Sequence, residues 1–134
     1  MPCLVEEMCD WINENWQSHN ALKLCAYAMW RLNWIHPFDD GNGRTSRAVS
    51  YLALCAKMGD RLPGRKTLPE QIAENKLPYY DALEKADEAW LGNVIDTSAM
   101  ETLLENYLAV QLKDAFDAAK KADDVLSDDR RKFH

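Results

Sequence analysis

Residues 36–47 read HPFDDGNGRTSR, and they lie between two stretches whose apolar residues have helical spacing. Proline disfavours helical geometry in the residue that precedes it, so the helix before this stretch should end ahead of His36. Two glycines, Gly41 and Gly43, then lead into a segment that regains the helical pattern near Asn42. The stretch therefore predicts a short loop between two helices.

Helical spacing also extends outward through most of the chain, and no alternating stretch longer than about four residues competes with it. The pattern predicts an all-α fold with helices at about 4–16, 20–33, 42–58, 69–75, 78–90 and 98–121. In the third helix we expect Ala48, Leu52 and Cys55 to face inward and Gly59 to cap the end. SAME at 98–101 has the form of a capping box, which marks the start of the last helix.

The length and charge of the chain limit its partners. Its 134 residues are enough for one domain, which we expect over 1–122 with a charged, solvated tail over 123–134. The net charge is −6, so we expect neither nucleic acid nor an anionic membrane as a partner. No apolar stretch could span a bilayer and the start lacks a signal pattern, so we expect a cytoplasmic protein, or one delivered into a host cell. Four cysteines without a CxxC pair should be buried free thiols.

The loop has the residue types of an anion site. A helix N-terminus concentrates partial positive charge, and Arg44 and Arg47, three residues apart, can each grip phosphate oxygens. Asp39 and Asp40 would repel such a ligand unless a hard cation lay between them, as Mg²⁺ does when it joins carboxylates to substrate phosphates. His36 is the residue of the loop that can take a proton from a hydroxyl near neutral pH. A nucleotide site with Mg²⁺ and plain turn and capping chemistry are both open at this point.

Two other ligand loops do not fit. A calcium loop needs oxygen ligands at alternate positions and a closing glutamate, which are missing after Asp39. A phosphate-binding loop of the GxxxxGK[ST] type is also missing.

The stretch HPFDDGNGRTSR resembles the Fic family motif HPFx[DE]GNGRxxR and matches all nine of its fixed positions. The resemblance extends to Trp34-Ile35 before the motif and to PYYDAL at 78–83, and it covers residues 2 to about 90. It implies a compact helical bundle of about six helices, with the catalytic loop between two core helices. The family's target-docking hairpin would precede the first helix, and it is apparently missing here: either this sequence starts after the hairpin or the protein lacks it.

The resemblance implies a protein adenylyltransferase, which transfers AMP from Mg-ATP to a Ser, Thr or Tyr hydroxyl of a target protein. His36 would be the catalytic base and Asp40 the Mg²⁺ ligand, while Phe38 would anchor the loop. Nucleotide contacts would come from Gly41, Asn42, Gly43, Arg44, Arg47, Tyr80 and Asp87. Gly41, Asn42 and Gly43 would hold the α- and β-phosphates, and the two arginines would hold the β- and γ-phosphates. Asp87 stands where the family usually has an asparagine near the adenine.

Regulated members of the family carry an inhibitory helix with [ST]xxxE[GN]. Thr97 and Glu101 have the spacing of this motif, but Thr102 stands where the motif has Gly or Asn, so we interpret Glu101 as a capping residue. We therefore expect inhibition to come from a partner protein or from further sequence. Two other functions stay open: transfer of another phosphoryl or nucleotidyl group, and a catalytically incompetent helical interaction module. Gly43 argues against the kinase-like branch of the family, which carries Lys at that position.

Overall fold

Six α-helices follow one another in the structure, a computed structural model that describes residues 2–132, with side chains for residues 3–130. They are α1 (Pro2–Asn15), α2 (Ala21–Ile35), α3 (Asn42–Met58), α4 (Leu68–Glu74), α5 (Leu77–Leu91) and α6 (Ser98–Lys132). No strand occurs between residues 2 and 132, and the predicted all-α fold is confirmed.

The central element is α2, which is buried on every side from residue 24 to residue 32. Trp30 packs toward α1 and α5, whereas Met29 packs with Leu54 of α3 and with Leu104 of α6. A helix that is apolar around its whole circumference must be covered on all sides, which the surrounding helices do here. The C-terminal end of α2, which leads into His36, is therefore held by the core.

The contact between α3 and α2 differs from the prediction. Leu52 is 67% exposed, and the buried residues of α3 are instead Asn42, Ser46, Arg47, Ser50 and Leu54. The two serine hydroxyls are satisfied within α3, because Ser46 donates to the Gly43 carbonyl and Ser50 to the Arg47 carbonyl. Small side chains let the two helices approach closely, so apolar spacing indicates the wrong face of α3.

The predicted start of α6 at Ser98 is confirmed, whereas its capping contact and its C-terminal end differ from the prediction. The helix begins at Ser98, and its capping contact is shifted by one residue: the Thr97 hydroxyl donates to Glu101 at 3.1 Å, and Asp96 accepts from the Ser98 N–H. The helix continues to Lys132, so an end near Lys121 is wrong; no glycine or proline interrupts it and alanines recur along it. The division of the chain at residue 122 stays a prediction. No helix within residues 2–132 has both the length and the apolar character that a membrane span requires.

The cysteines are free, as predicted, but they are not all buried. Cys25 is fully buried, and burial raises the pKa of its thiol to about 12. Cys3 and Cys9 are exposed because α1 covers the core with one face only, so the prediction of buried thiols is wrong for these two residues.

Gln111 of α6 ties the segment between α3 and α4 to the core. Its side chain is fully buried, accepts a hydrogen bond from the Leu68 N–H at 2.8 Å and donates to the Tyr51 hydroxyl at 2.8 Å and the Pro63 carbonyl at 3.0 Å. Gly64 lies directly against this residue with a φ of 109°, and a Cβ on it would stand 2.5 Å from the Gln111 carbonyl oxygen.

Replacing Gly64 with alanine should lower the free energy of unfolding by about 2 kcal/mol or more, because backbone strain and a steric clash add. Gly59 provides a matched control, since it has a φ of 89° and no atom within 4 Å of the added Cβ. Gly59→Ala carries strain without a clash and should cost about 1 kcal/mol. Urea unfolding followed by tryptophan fluorescence measures both variants, and equal losses would contradict this account of the junction.

Candidate active site

A cleft of about 350 Å³ opens where the end of α2 and the starts of α3 and α5 meet. Its predicted lining residues are His36, Asp40, Gly41, Asn42, Gly43, Arg44, Arg47 and Tyr80, and Asn33, Lys76 and Tyr79 complete it. The volume lies in the range of small-molecule sites.

His36 stands at the edge of this cleft in an unusual backbone conformation. Its φ of 53° and ψ of 58° are left-handed, and its N–H donates to the Leu32 carbonyl at 3.0 Å, which caps α2. Holding a residue other than glycine in this region costs on the order of 1 kcal/mol, and such strain concentrates at functional sites. The side chain is exposed, so an incoming hydroxyl group can reach the imidazole.

The loop is fastened by Asn42 rather than by Phe38. The buried Asn42 side chain accepts from the Phe38 N–H at 3.0 Å and donates to the Phe38 carbonyl at 2.7 Å. The Phe38 ring is 50% exposed, so the prediction that it anchors the loop is wrong. The Asn42 side chain is therefore occupied in closing the loop, and the backbone N–H of this residue remains as a donor for a ligand.

The start of α3 presents several free donors to the cleft. The first backbone hydrogen bond of α3 joins the Thr45 N–H to the Gly41 carbonyl at 2.9 Å, so the N–H groups of Asn42, Gly43 and Arg44 have no helical partner. Gly41, with a φ of 81°, provides the left-handed turn that begins the helix. Such a helix start attracts anions.

Arg47 gives the cleft a nearly buried cation. The residue is 9% exposed, its guanidinium carbon lies 5.9 Å from the centre of the Tyr79 ring, and no carboxylate of the described residues lies within 4.0 Å of it. Arg44, in contrast, is exposed and lies 3.6 Å from Asp40. A buried charge without a counter-charge is costly, so an anion bound in the cleft would stabilise Arg47.

A hydrogen-bonded group of three side chains forms the floor of the cleft. The Asn33 amide nitrogen lies 2.6 Å from the Tyr79 hydroxyl and 2.8 Å from the Ser46 hydroxyl, and these two hydroxyls are 3.3 Å apart. The group joins α2, α3 and α5 and so fixes the walls of the cleft relative to one another.

Part of the chain is similar in sequence to known proteins. Residues 1–54, which include the loop, match the sequence model of the Fic/DOC family. This part of the chain therefore resembles the Fic/DOC family. No solved structure matches the chain significantly.

Several curated relatives of the chain are named protein adenylyltransferases. The chain is 32% identical over 84 residues to protein adenylyltransferase fic-1 of Caenorhabditis briggsae, a match that covers 60% of the chain and 15% of the relative. It is 36% identical over 81 residues to protein adenylyltransferase Fic of Drosophila persimilis, with 58% of the chain and 14% of the relative covered. The chain thus spans about 15% of the length of the curated relatives that it matches.

The cleft does not include two acidic residues of the sequence analysis. Asp39 is exposed and does not line it. Asp87 lies in a neighbouring groove with Trp34 and Trp90, where its carboxylate accepts a hydrogen bond from the Trp30 indole at 2.9 Å. A nucleotide contact by Asp87 stays a prediction that nothing in the cleft supports.

The residues that sequence reasoning missed come from other helices. Asn33 precedes the motif by three positions, and Lys76 and Tyr79 lie far along the chain at the start of α5. The adjacent Tyr79 and Tyr80 could have indicated a second wall of the cleft, because two neighbouring tyrosines at a helix start place one ring inward and the other near the surface. Here Tyr79 is buried and Tyr80 is 52% exposed.

Proposed function

We propose that the chain is a protein adenylyltransferase that transfers AMP from ATP to a hydroxyl group of a target protein. The observation that carries the proposal is the nearly buried Arg47 without a carboxylate partner, in a cleft that has an exposed imidazole at its edge. The names of the curated relatives support the same reaction. Because the chain covers a small part of those relatives, activity, target and partners are all part of the proposal.

The free N–H groups at the start of α3 and the guanidinium of Arg47 would hold the triphosphate and stabilise the charge that develops on it. Lys76, on the opposite wall, adds a third cation beside Arg44 and Arg47. The acceptor oxygen attacks the α-phosphorus while His36 takes the hydroxyl proton. A new oxygen–phosphorus bond forms, the bond between the α-phosphorus and the bridging oxygen breaks, and pyrophosphate leaves with the electron pair.

A magnesium ion fits the residues that are present. No group of three or more His, Cys, Asp or Glu side chains in the described residues could hold a metal ion by itself. Asp40 lines the cleft and offers an exposed carboxylate. Mg²⁺ is commonly held by one or two carboxylates together with substrate phosphates, so Asp40 would be its protein ligand. The bound ion would neutralise phosphate charge.

The position of a radioactive label in ATP tests this function. We expect proteins of a heat-inactivated cell lysate, which has no kinase activity of its own, to become labelled when the chain is incubated with Mg²⁺ and ATP labelled on the α-phosphate, and to stay unlabelled with ATP labelled on the γ-phosphate. Label from the γ-phosphate instead would indicate phosphoryl transfer. Absence of both labels, together with absence of ATP binding, would indicate a helical interaction module.

A further inference from the structure

A second concave surface adjoins the active-site cleft on α2 and α5. This tryptophan groove has a volume of about 560 Å³ and is lined by Trp34, Glu84, Asp87, Glu88, Trp90 and Leu91. Its apolar residues are accessible, since Trp34 is 39% and Leu91 88% exposed. Asp87 is the one predicted nucleotide contact among them, and it lies in this groove rather than in the cleft. The reaction proposed above assigns no role to the other residues, so the groove is available to a second ligand.

We propose that the tryptophan groove docks a lysine- or arginine-containing segment of the target protein beside the active site. The identification of the occupant as the target rests on the proposed adenylyltransferase function. The presence of a binding site for a cationic segment rests on the groove itself.

Charge complementarity favours a cationic occupant. Glu84, Asp87 and Glu88 place three carboxylates on the groove, and the C-terminal end of α5 adds partial negative charge. The lysine of this helix, Lys85, lines a different surface between α5 and α6. Arg31 is the opposing charge: it is buried with its guanidinium carbon 4.5 Å from the centres of both groove tryptophan rings. The groove therefore retains an excess of negative charge.

The aromatic rings favour the same occupant. Trp34 and Trp90 lie 6.3 Å apart at an angle of 81°, and Arg31 already interacts with both rings. The rings therefore serve the occupant as an apolar wall, which accommodates the methylene groups of lysine or arginine while the charged end meets the carboxylates. Anionic ligands are disfavoured by the three carboxylates.

The position of the groove connects it to the transfer reaction. Trp34 lies two residues before His36, and Glu84 and Glu88 follow Tyr80 of the cleft by one and two turns of α5. One to two turns correspond to about 6–12 Å along the helix. An extended segment covers this distance in about two to four residues. We therefore expect a basic residue about that far from the acceptor hydroxyl in the target.

Peptide binding to the full chain tests the docking site without ATP. The probes are a short fluorescein-labelled peptide rich in lysine and arginine, and a matched peptide with glutamine at the same positions. Fluorescence anisotropy at low ionic strength should show binding of the basic peptide only. The double variant Glu84→Gln/Glu88→Gln should weaken it at least about threefold, because exposed ion pairs contribute modest free energies. Added salt should weaken it further.

Glu70→Gln/Glu105→Gln is the matched control, since it removes the same charge from exposed positions outside the groove. This control should bind the basic peptide as the wild type does. Equal binding of the two peptides, unchanged binding by Glu84→Gln/Glu88→Gln, or no binding of the basic peptide would each overturn the docking site. Transfer of AMP without peptide binding would overturn the docking site alone, whereas peptide binding without transfer would overturn the proposed function and leave the groove as a site for cationic segments.

Discussion

Replacement of His36 with alanine should reduce AMP transfer by about 100- to 10,000-fold, the usual contribution of a positioned general base. The imidazole is the exposed basic group at the edge of the cleft, and the left-handed backbone at this position directs the chain from α2 into the loop. ATP binding should change little, because in the proposed reaction His36 acts on the acceptor hydroxyl rather than on the triphosphate. Transfer of α-labelled AMP to lysate proteins measures the first effect and calorimetry the second.

Replacement of His36 with asparagine separates the effect of losing the imidazole from the effect of backbone strain. His36→Asn tolerates the left-handed conformation better than alanine does, yet it has no imidazole to accept the proton. Both variants should be similarly inactive, and His36→Asn should keep the thermal stability of the wild type. Transfer by His36→Asn at more than about a tenth of the wild-type rate would exclude His36 as the base.

Replacement of Arg47 with alanine should weaken Mg-ATP binding by about 10- to 100-fold, because hydrogen bonds to charged groups typically contribute 1.5–3 kcal/mol. The guanidinium is nearly buried and has no carboxylate partner among the described residues, so its removal leaves no unpaired anion behind. Stability without nucleotide should therefore fall little. Calorimetry with Mg-ATP measures the affinity.

Arg65 provides the control for this prediction. It is an exposed arginine outside the cleft, and its alanine variant removes the same charge. Arg65→Ala should bind Mg-ATP like the wild type, and His36→Ala should lose much less affinity than Arg47→Ala. Equal losses in the His36 and Arg47 variants would contradict the assignment of their roles.

The fold was largely predictable because local signals mark its helix ends. Pro37 follows the end of α2, Gly59 caps α3 and Pro78 lies in the first turn of α5. The inward face of α3 was not predictable from apolar spacing, since Ser46 and Ser50 form it. The C-terminal part of α6 was misjudged because its charges were read as a solvated tail, although nothing in it interrupts a helix.

The candidate site was predictable where its residues are neighbours in sequence. Residues 36–47 contribute one compact loop and helix start, which local chemistry describes well. Asn33 and Tyr79 join the site through helix packing, which no local pattern encodes. Packing also accounts for Asp87, whose place on α5 puts it in the tryptophan groove beside Trp30 rather than in the cleft.

We propose that the start of α3 binds the phosphates of a Mg²⁺-bound nucleotide, and the backbone amide signals of the glycines report on this binding directly. In a titration of the ¹⁵N-labelled chain with Mg-ATP, the amide resonances of Gly41 and Gly43 should shift and saturate together. The other three of the five glycines, Gly59, Gly64 and Gly92, lie outside the cleft and should not move. Unchanged Gly41 and Gly43 resonances at millimolar nucleotide, or equal shifts at all five glycines, would contradict the claim.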